Sequence, residues 1–217
     1  MMSLKAVIFD MDGTVLDTLE DLKTALNLAL AQFNKKERTI SEVRLFVGSG
    51  LKVLVRRALE MTDDEALLNQ VLACFKKIYA ENLNVYTHPY PGITELIKKL
   101  KERGIKVFIS SNKFDYGAKE LARAHFGNLI DMTLGESEEV PKKPDPTGAL
   151  LMLKACGLSA EDAVYVGDSD VDIKTAANAG IDCICVSWGF RSKDDLISAG
   201  AGKIANSVTE LEQLFGL

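Results

Sequence analysis

No apolar run in this 217-residue sequence approaches the roughly 18 residues needed to cross a bilayer. The stretch Ala6–Phe9 is cut off by Asp10, too short for the apolar core of a secretion signal. Positive charge is scarce as well: 26 basic residues against 31 acidic ones leave a formal net charge of −5. No general field therefore draws nucleic acid or an anionic membrane, and an anionic ligand has to be held locally. Histidine is nearly absent, and His88 and His125 share no metal-ligating spacing, so both read as structural or solvated side chains. The four cysteines, Cys74, Cys156, Cys183 and Cys185, form no C-x-x-C pair. Cys183 and Cys185 stand two apart in the alternating stretch IDCICVSW, on one face of a strand, and read as core thiols in a reducing, cytoplasmic setting.

What the sequence does have is core-forming material. Hydrophobic residues make up 47% and charged residues 26%, a balance typical of a soluble globular chain, and the length suits one α/β unit with a smaller insert. From residue 91 onward, GIKVFIS (104–110), AVYVG (163–167) and CICVS (183–187) are short, β-branched and nearly continuous, as strands buried on both faces should be. Helical patterns separate them: GITELIKKLKER, TGALLMLKACG, and VDIKTAANAG closed by Gly180. This alternation predicts a parallel sheet. The first strand, Lys5–Phe9, is followed instead by helix upon helix. Leu19, Leu22, Leu26, Ala29 and Phe33 line one; Thr39-x-x-Glu42 caps a second; Leu51, Leu54, Val55, Ala58 and Leu59 line a third; Leu67, Leu68, Val71, Leu72, Phe75 and Tyr79 line a fourth. The expected division is a core of residues 1–16 and 82–217 with a helical insert over 17–81.

Ligands of an open parallel sheet sit outside the carboxyl ends of its strands. Asp10 and Asp12 follow the first strand; Ser110, Ser111, Asn112 and Lys113 follow VFI; Asp168, Ser169, Asp170 and Asp172 follow AVYVG; PKKPDP, with Lys142 and Lys143, lies between. Acids, a hydroxyl and a lysine thus converge on one edge. Carboxylates gathered this closely repel unless a cation neutralises them, and hard oxygen ligands beside a phosphate site favour Mg²⁺.

These residues resemble the ordered motifs of the haloacid dehalogenase-like superfamily: Asp10-Met11-Asp12-Gly13-Thr14, then Ser111, then Lys143 in KPDP, then Gly167-Asp168-Ser169-Asp170-Val171-Asp172. FVGSGLKVLVRRAL (46–59) and YPGITELIKKLKERGIKVFISSNK (90–113) are similar to the phosphoglycolate phosphatase-like branch. The resemblance implies a Rossmann-like α/β core with an inserted α-helical cap, and a phosphatase of a small phosphorylated metabolite, first of all 2-phosphoglycolate. It implies Asp10 as nucleophile and Asp12 as general acid and base. Mg²⁺ would be held by Asp10, Asp168 and the Asp12 carbonyl, and the phosphoryl group by Ser111, Asn112 and Lys143. Asp172 would hold the metal's water or orient Lys143. Keeping Asp12 favours phosphoryl transfer over carbon–halogen cleavage, because dehalogenases of the superfamily lack the second acid.

In the insert, Gly48-Ser49-Gly50 reads either as a turn or as a loop that enters the site on closure. Lys52, Arg56 and Arg57, on the polar side of the next helix, are candidates for an anionic substrate tail. Trp188-Gly189-Phe190 reads as rim packing or as a border of the substrate entrance. The expected protein is a monomer or homodimer that binds neither nucleic acid nor membrane. The alternatives are a phosphomutase or pyrophosphatase of the same superfamily and, from a different class, a phosphoaspartate signalling receiver.

Overall fold

The computed structural model describes residues 4–217. Six parallel strands form one sheet: β1 (Ala6–Phe9), β4 (Lys106–Phe114), β5 (Met132–Glu136), β6 (Ala163–Gly167), β7 (Asp182–Val186) and β8 (Ile204–Ala205), in the order β5-β4-β1-β6-β7-β8. β1 is therefore central, with β4 and β6 on either side. The chain leaves β1 toward β4 on one flank and returns across it to β6 on the other, which places a crevice at the carboxyl end of β1.

All four residues of β1 are fully buried, as a central parallel strand requires. Val7 and Phe9 point into one core, shared with α5 (Ile93–Glu102) and α6 (Asp115–Phe126). Ala6 and Ile8 point into the other, with α7 (Thr147–Ala155) and α8 (Asp170–Ala179). Alternation along a strand thus divides the helices between two faces. α9 (Lys193–Ser198) and α10 (Val208–Phe215) complete the carboxyl-terminal half. Among the described residues no helix is long and apolar enough to cross a membrane, and all four cysteines are free thiols.

Between β1 and β4 stand α1 (Leu19–Gln32), α2 (Ile40–Phe46), α3 (Leu51–Ala58) and α4 (Glu65–Glu81). The anticipated cap of α2 is present: Thr39 Oγ1 accepts from the Glu42 amide at 3.3 Å, and the Thr39 amide donates back to Glu42 Oε2 at 2.7 Å. The apolar stripes of α1, α3 and α4 close on one another around Leu26, Leu54, Leu68 and Phe75. This small bundle joins the core through a two-stranded antiparallel ribbon, β2 (Leu16–Asp17) against β3 (His88–Pro89).

The returning chain is pinned by one buried acid of α1. Asp21 accepts from the amides of Val85, Tyr86 and Thr87 and from Thr87 Oγ1, at 2.7–3.1 Å. Asparagine offers one acceptor where the carboxylate offers two, so Asp21→Asn should lower stability by roughly 1.5–3 kcal/mol, the worth of a hydrogen bond to a charged group. Equilibrium denaturation of the variant beside the wild type measures this.

The sheet differs from the sequence expectation at one consequential place. The strand expected over 104–110 runs on through Ser111, Asn112 and Lys113 to Phe114, and its register against β5 shifts between Ser110 and Phe114. Such an irregularity redirects side chains at a strand end, and here all three are buried at the sheet's edge.

Candidate active site

Asp10 is the first residue beyond β1, and its amide continues the sheet by donating to the Val166 carbonyl at 2.8 Å. Its Oδ1 accepts from the Met11 amide at 2.6 Å and from Lys143 Nζ at 2.7 Å. Among the described residues no donor reaches Oδ2, so one oxygen of Asp10 is fixed and the other faces the cleft. The chain then reverses at Gly13, whose φ of +89° lies in the left-handed region. A Cβ there would stand 2.4 Å from Asp168 Oδ2, so glycine is required by space as well as by backbone. Gly189 faces the same turn from the other side: a Cβ on it would lie 2.3 Å from the Gly13 carbonyl. That close approach lets the Phe190 amide donate to Asp168 Oδ2 at 2.6 Å.

Lys143 is the hub. Its ammonium reaches Asp10 Oδ1 and Asp172 Oδ1, each at 2.7 Å, and the Ser110 carbonyl at 3.2 Å. The Asn112 side chain holds its backbone, with Oδ1 accepting from the Lys143 amide at 2.7 Å. Asn112 Nδ2 in turn donates to the Gly48 carbonyl at 3.1 Å, so this one side chain ties a core loop to the helical insert. Both oxygens of Asp172 are engaged, Oδ1 by Lys143 and Oδ2 by the Ser169 amide and hydroxyl, where it also caps α8. Ser111 Oγ accepts from the Lys113 amide at 3.1 Å, which leaves its proton for a ligand.

Charge in this group does not balance. Asp10, Asp168 and Asp172 bring one carboxylate oxygen each to within 4.8 Å of one another, and all three are buried beside the one ammonium of Lys143. Burial and then the charge of Asp172 push the Asp10 carboxyl well above the usual carboxylate range, although Lys143 pulls it down. The same two causes push Asp168 up to about 7. Burial works against the Lys143 ammonium, but the charges of Asp10 and Asp172 prevail and raise it well above an ordinary lysine. A divalent cation would supply the missing charge. The Asp10 carboxylate and Asp168 Oδ1, which no donor reaches among the described residues, are suited to ligate it, whereas both oxygens of Asp172 are already engaged.

Asp12 stands across the turn. Its Oδ1 accepts from Thr18 Oγ1 at 2.7 Å and lies 3.2 Å from Lys113 Nζ. The cleft wall includes Asp10, Asp12, Ser111, Asn112, Lys143 and Asp168 from the expected set, together with Gly48 and Gly50 of the insert loop. Ser49 is not on that wall.

Lys52, Arg56 and Arg57 are not brought there either. Lys52 and Arg56 pair with Glu65, and Arg57 donates to the Leu45 and Phe46 carbonyls. The reason is the rotation of α3, which presents Leu51 and Leu54 to the cleft and turns its polar side toward α2 and the start of α4. The cations on the wall besides Lys143 are Lys113 and Arg191, to neither of which the sequence reading gave a role. Arg191 reaches from the loop after β7 to the Arg44 and Val47 carbonyls at 3.0 and 2.6 Å, and so covers the carboxyl end of α2. Phe190, expected at the rim, is buried against Asp168 and also lines the cleft. His88 and His125 lie elsewhere, bonded to the Tyr86 carbonyl and to Asn84.

Comparison with known proteins identifies the family and the fold. Residues 7–186 match the family described as haloacid dehalogenase-like hydrolase. A phosphoglycolate phosphatase of Pseudomonas syringae pv. tomato is 34% identical over 192 residues, covering 86% of this chain and 70% of its own length. One from Nitrosospira multiformis is 31% identical over 97% of this chain and 95% of its own. A crystal structure from Lactobacillus delbrueckii subsp. bulgaricus, described as a candidate phosphoglycolate phosphatase, superimposes with a TM-score of 0.95 at 37% identity, covering 99% of both chains.

Proposed function

The chain belongs to the haloacid dehalogenase-like hydrolases, in their phosphoglycolate phosphatase-like branch, and we propose that it is a Mg²⁺-dependent phosphatase working through an aspartyl-phosphate on Asp10. One observation carries this reading: among the described residues Asp10 and Asp12 each keep a carboxylate oxygen free of protein donors, and both line one cleft with Ser111 and Lys143. That is the equipment for two consecutive displacements at one phosphorus.

In the first, Asp10 Oδ2 attacks phosphorus while the bond to the substrate alcohol breaks. Asp12 acts as the general acid that gives a proton to the departing oxygen. In the second, Asp12 takes a proton from water, which attacks the phosphorus, and the bond from phosphorus to Asp10 breaks to release inorganic phosphate. Ser111 Oγ–H and the Lys143 ammonium hold the phosphoryl oxygens, where positioning and charge supply most of the catalysis. Because the Asn112 side chain is committed to Lys143 and Gly48, its contribution to the phosphoryl group is the backbone N–H. Mg²⁺, when bound by Asp10, Asp168 and the Asp12 carbonyl, offsets the negative charge of the transferring group. Asp172 orients Lys143.

The first substrate to examine is 2-phosphoglycolate, on the strength of the relatives. Its carboxylate would find Arg191 on the cleft wall rather than the cations of α3. The test is inorganic phosphate release from a panel of phosphorylated metabolites with Mg²⁺, with and without chelation. Phosphate should appear with at least one small monoester, disappear with EDTA and return with Mg²⁺, while Ca²⁺, with its larger and looser shell, should inhibit. Full activity after thorough chelation would overturn the metal assignment. Phosphoryl transfer to a second sugar hydroxyl instead of water would make the protein a mutase.

A further inference from the structure

Lys113 has no part in the two displacements above, yet its side chain is only 1% exposed. An ammonium is costly to bury without partners, and a methionine or leucine would fill the same space, so packing alone does not account for it. Among the described residues its partners are two: Asp12 Oδ1 at 3.2 Å and the hydroxyl of Tyr79, to which it donates. The ammonium also lies 4.6 Å from the centre of the Tyr79 ring. Burial opposes its charge, but Asp12 and Tyr79 more than compensate and raise the lysine above its ordinary value.

Tyr79 belongs to α4, in the helical insert. It is fully buried, stacked on Phe75 at 5.5 Å between ring centres and edge-on to Phe114 of β4 at 6.3 Å. Among the described residues Lys113 is the sole hydrogen-bond partner of its hydroxyl. The other donor to Asp12, Thr18 Oγ1, comes from the residue just before α1. Both donors meet the same oxygen, Oδ1. A carboxyl group gripped twice at one oxygen cannot rotate without losing both contacts, so Oδ2 is the atom left aimed into the cleft.

We propose that Lys113 is a positioning residue that, braced by Tyr79 of the helical insert, aims Asp12 Oδ2 at the leaving oxygen of the substrate. The proposal rests on the phosphatase reading and adds to it a specific dependence: the acid is held in place by groups that the docked insert supplies. Opening the insert withdraws Tyr79 from Lys113 and moves Thr18, so the aim of Asp12 is complete only when the two parts are together.

The leaving group reads this out. An alkyl phosphate needs the proton of Asp12 to depart, whereas p-nitrophenyl phosphate departs with little help. Lys113→Met and Tyr79→Phe are compared with wild type by kcat/KM, which reports the steps through release of the alcohol. In Lys113→Met the alkyl phosphate should fall at least about tenfold further than p-nitrophenyl phosphate, a fraction of the 10²–10⁴ that a positioned acid contributes. Tyr79→Phe, which keeps the ring and its stacking, should show the same selective loss in smaller measure. A structural role alone predicts equal losses on both substrates, and that result, or no loss, overturns the proposal. If Lys113→Met does not fold, Tyr79→Phe decides; if Lys113→Met is selective and Tyr79→Phe is not, the bracing by the insert is overturned and the positioning by Lys113 stands. Wild type that hydrolyses neither compound refutes the phosphatase reading itself, and this inference with it.

Discussion

Asp10→Asn should reduce phosphate release by at least about a thousandfold, the scale of loss when a catalytic nucleophile is removed, while the protein melts no lower than wild type in the absence of metal. The two halves of this result come from one local fact. The amide keeps the shape of the carboxyl but cannot donate a lone pair to phosphorus with comparable strength, and it is a poorer ligand for a cation. It also removes one of three crowded buried acids. Burial, then the charge of Asp172, hold the Asp10 carboxyl far above its ordinary value, so at neutral pH the ionised form costs folding energy that a neutral side chain does not. An acid whose pKa is higher folded than unfolded loses stability as pH rises past its unfolded value, and asparagine removes that loss. Activity and stability moving in opposite directions is the signature of a site strained for function. Near-normal phosphate release from pure Asp10→Asn would rule out the covalent intermediate, and a strongly lowered melting temperature would show that the acid is structural. A malachite-green phosphate assay and a thermal melt on the same preparation measure both.

The parts of this molecule that announce themselves in the sequence are those governed by local pattern. Ile93, Leu96, Ile97 and Leu100 recur at helical spacing and are all buried in α5; Thr39 and Glu42 form the capping box their spacing promises; the continuous apolar strands are the buried centre of the sheet. Asp10 and Asp168 are legible for another reason, since each directly follows a strand and a parallel sheet gathers those ends, and Ser111 and Lys143 lie late in β4 and in the loop after β5. What escaped is what depends on rotation or on distant pairing. The two-residue strands β2 and β3 carry no periodicity, because their pairing is decided by residues some seventy positions apart in the chain. β5 carries an uncommitted pattern, MTLGE, and takes strand form only against β4. Lys52, Arg56 and Arg57 lie on the polar side of α3, opposite Leu54, Val55 and Ala58, but no local rule states which way that side turns; Leu51 and Leu54 settle it by facing the cleft. Arg191 lies in a loop with no repeating pattern. Lys113 was visible beside Ser111 and Asn112, yet a lysine at a strand end ordinarily reaches solvent. Only the arrival of Tyr79 from α4 turns it into a buried partner of Asp12.

That pairing makes Asp12 the more informative of the two acids to alter. Asp12→Asn should leave cation binding largely intact, because the ligand proposed at this position is its backbone carbonyl, and should cut kcat/KM for an alkyl phosphate by about 10²–10⁴, the range ascribed to a positioned general acid. The loss on p-nitrophenyl phosphate should be much smaller, since nitrophenolate leaves without a proton. The asparagine also interrogates Lys113, for once Asp12 has no proton to give, aiming it is worthless. In a double-mutant cycle, the extra loss that Lys113→Met inflicts on the alkyl phosphate in wild type should vanish in the Asp12→Asn background, as expected for residues acting through one group. Full additivity on the alkyl phosphate would mean that Lys113 and Asp12 serve separate ends, and equal losses on both substrates from Asp12→Asn would remove Asp12 from the role of acid. Single-turnover measurements settle which displacement is affected. Loss confined to release of the alcohol marks Asp12 acting as acid, and loss confined to release of phosphate marks it acting as base on water. A side chain fixed through Oδ1 by Thr18 and Lys113 has to perform both with the same free oxygen, so both steps should slow when it is replaced, the first in proportion to how badly the departing alcohol needs its proton.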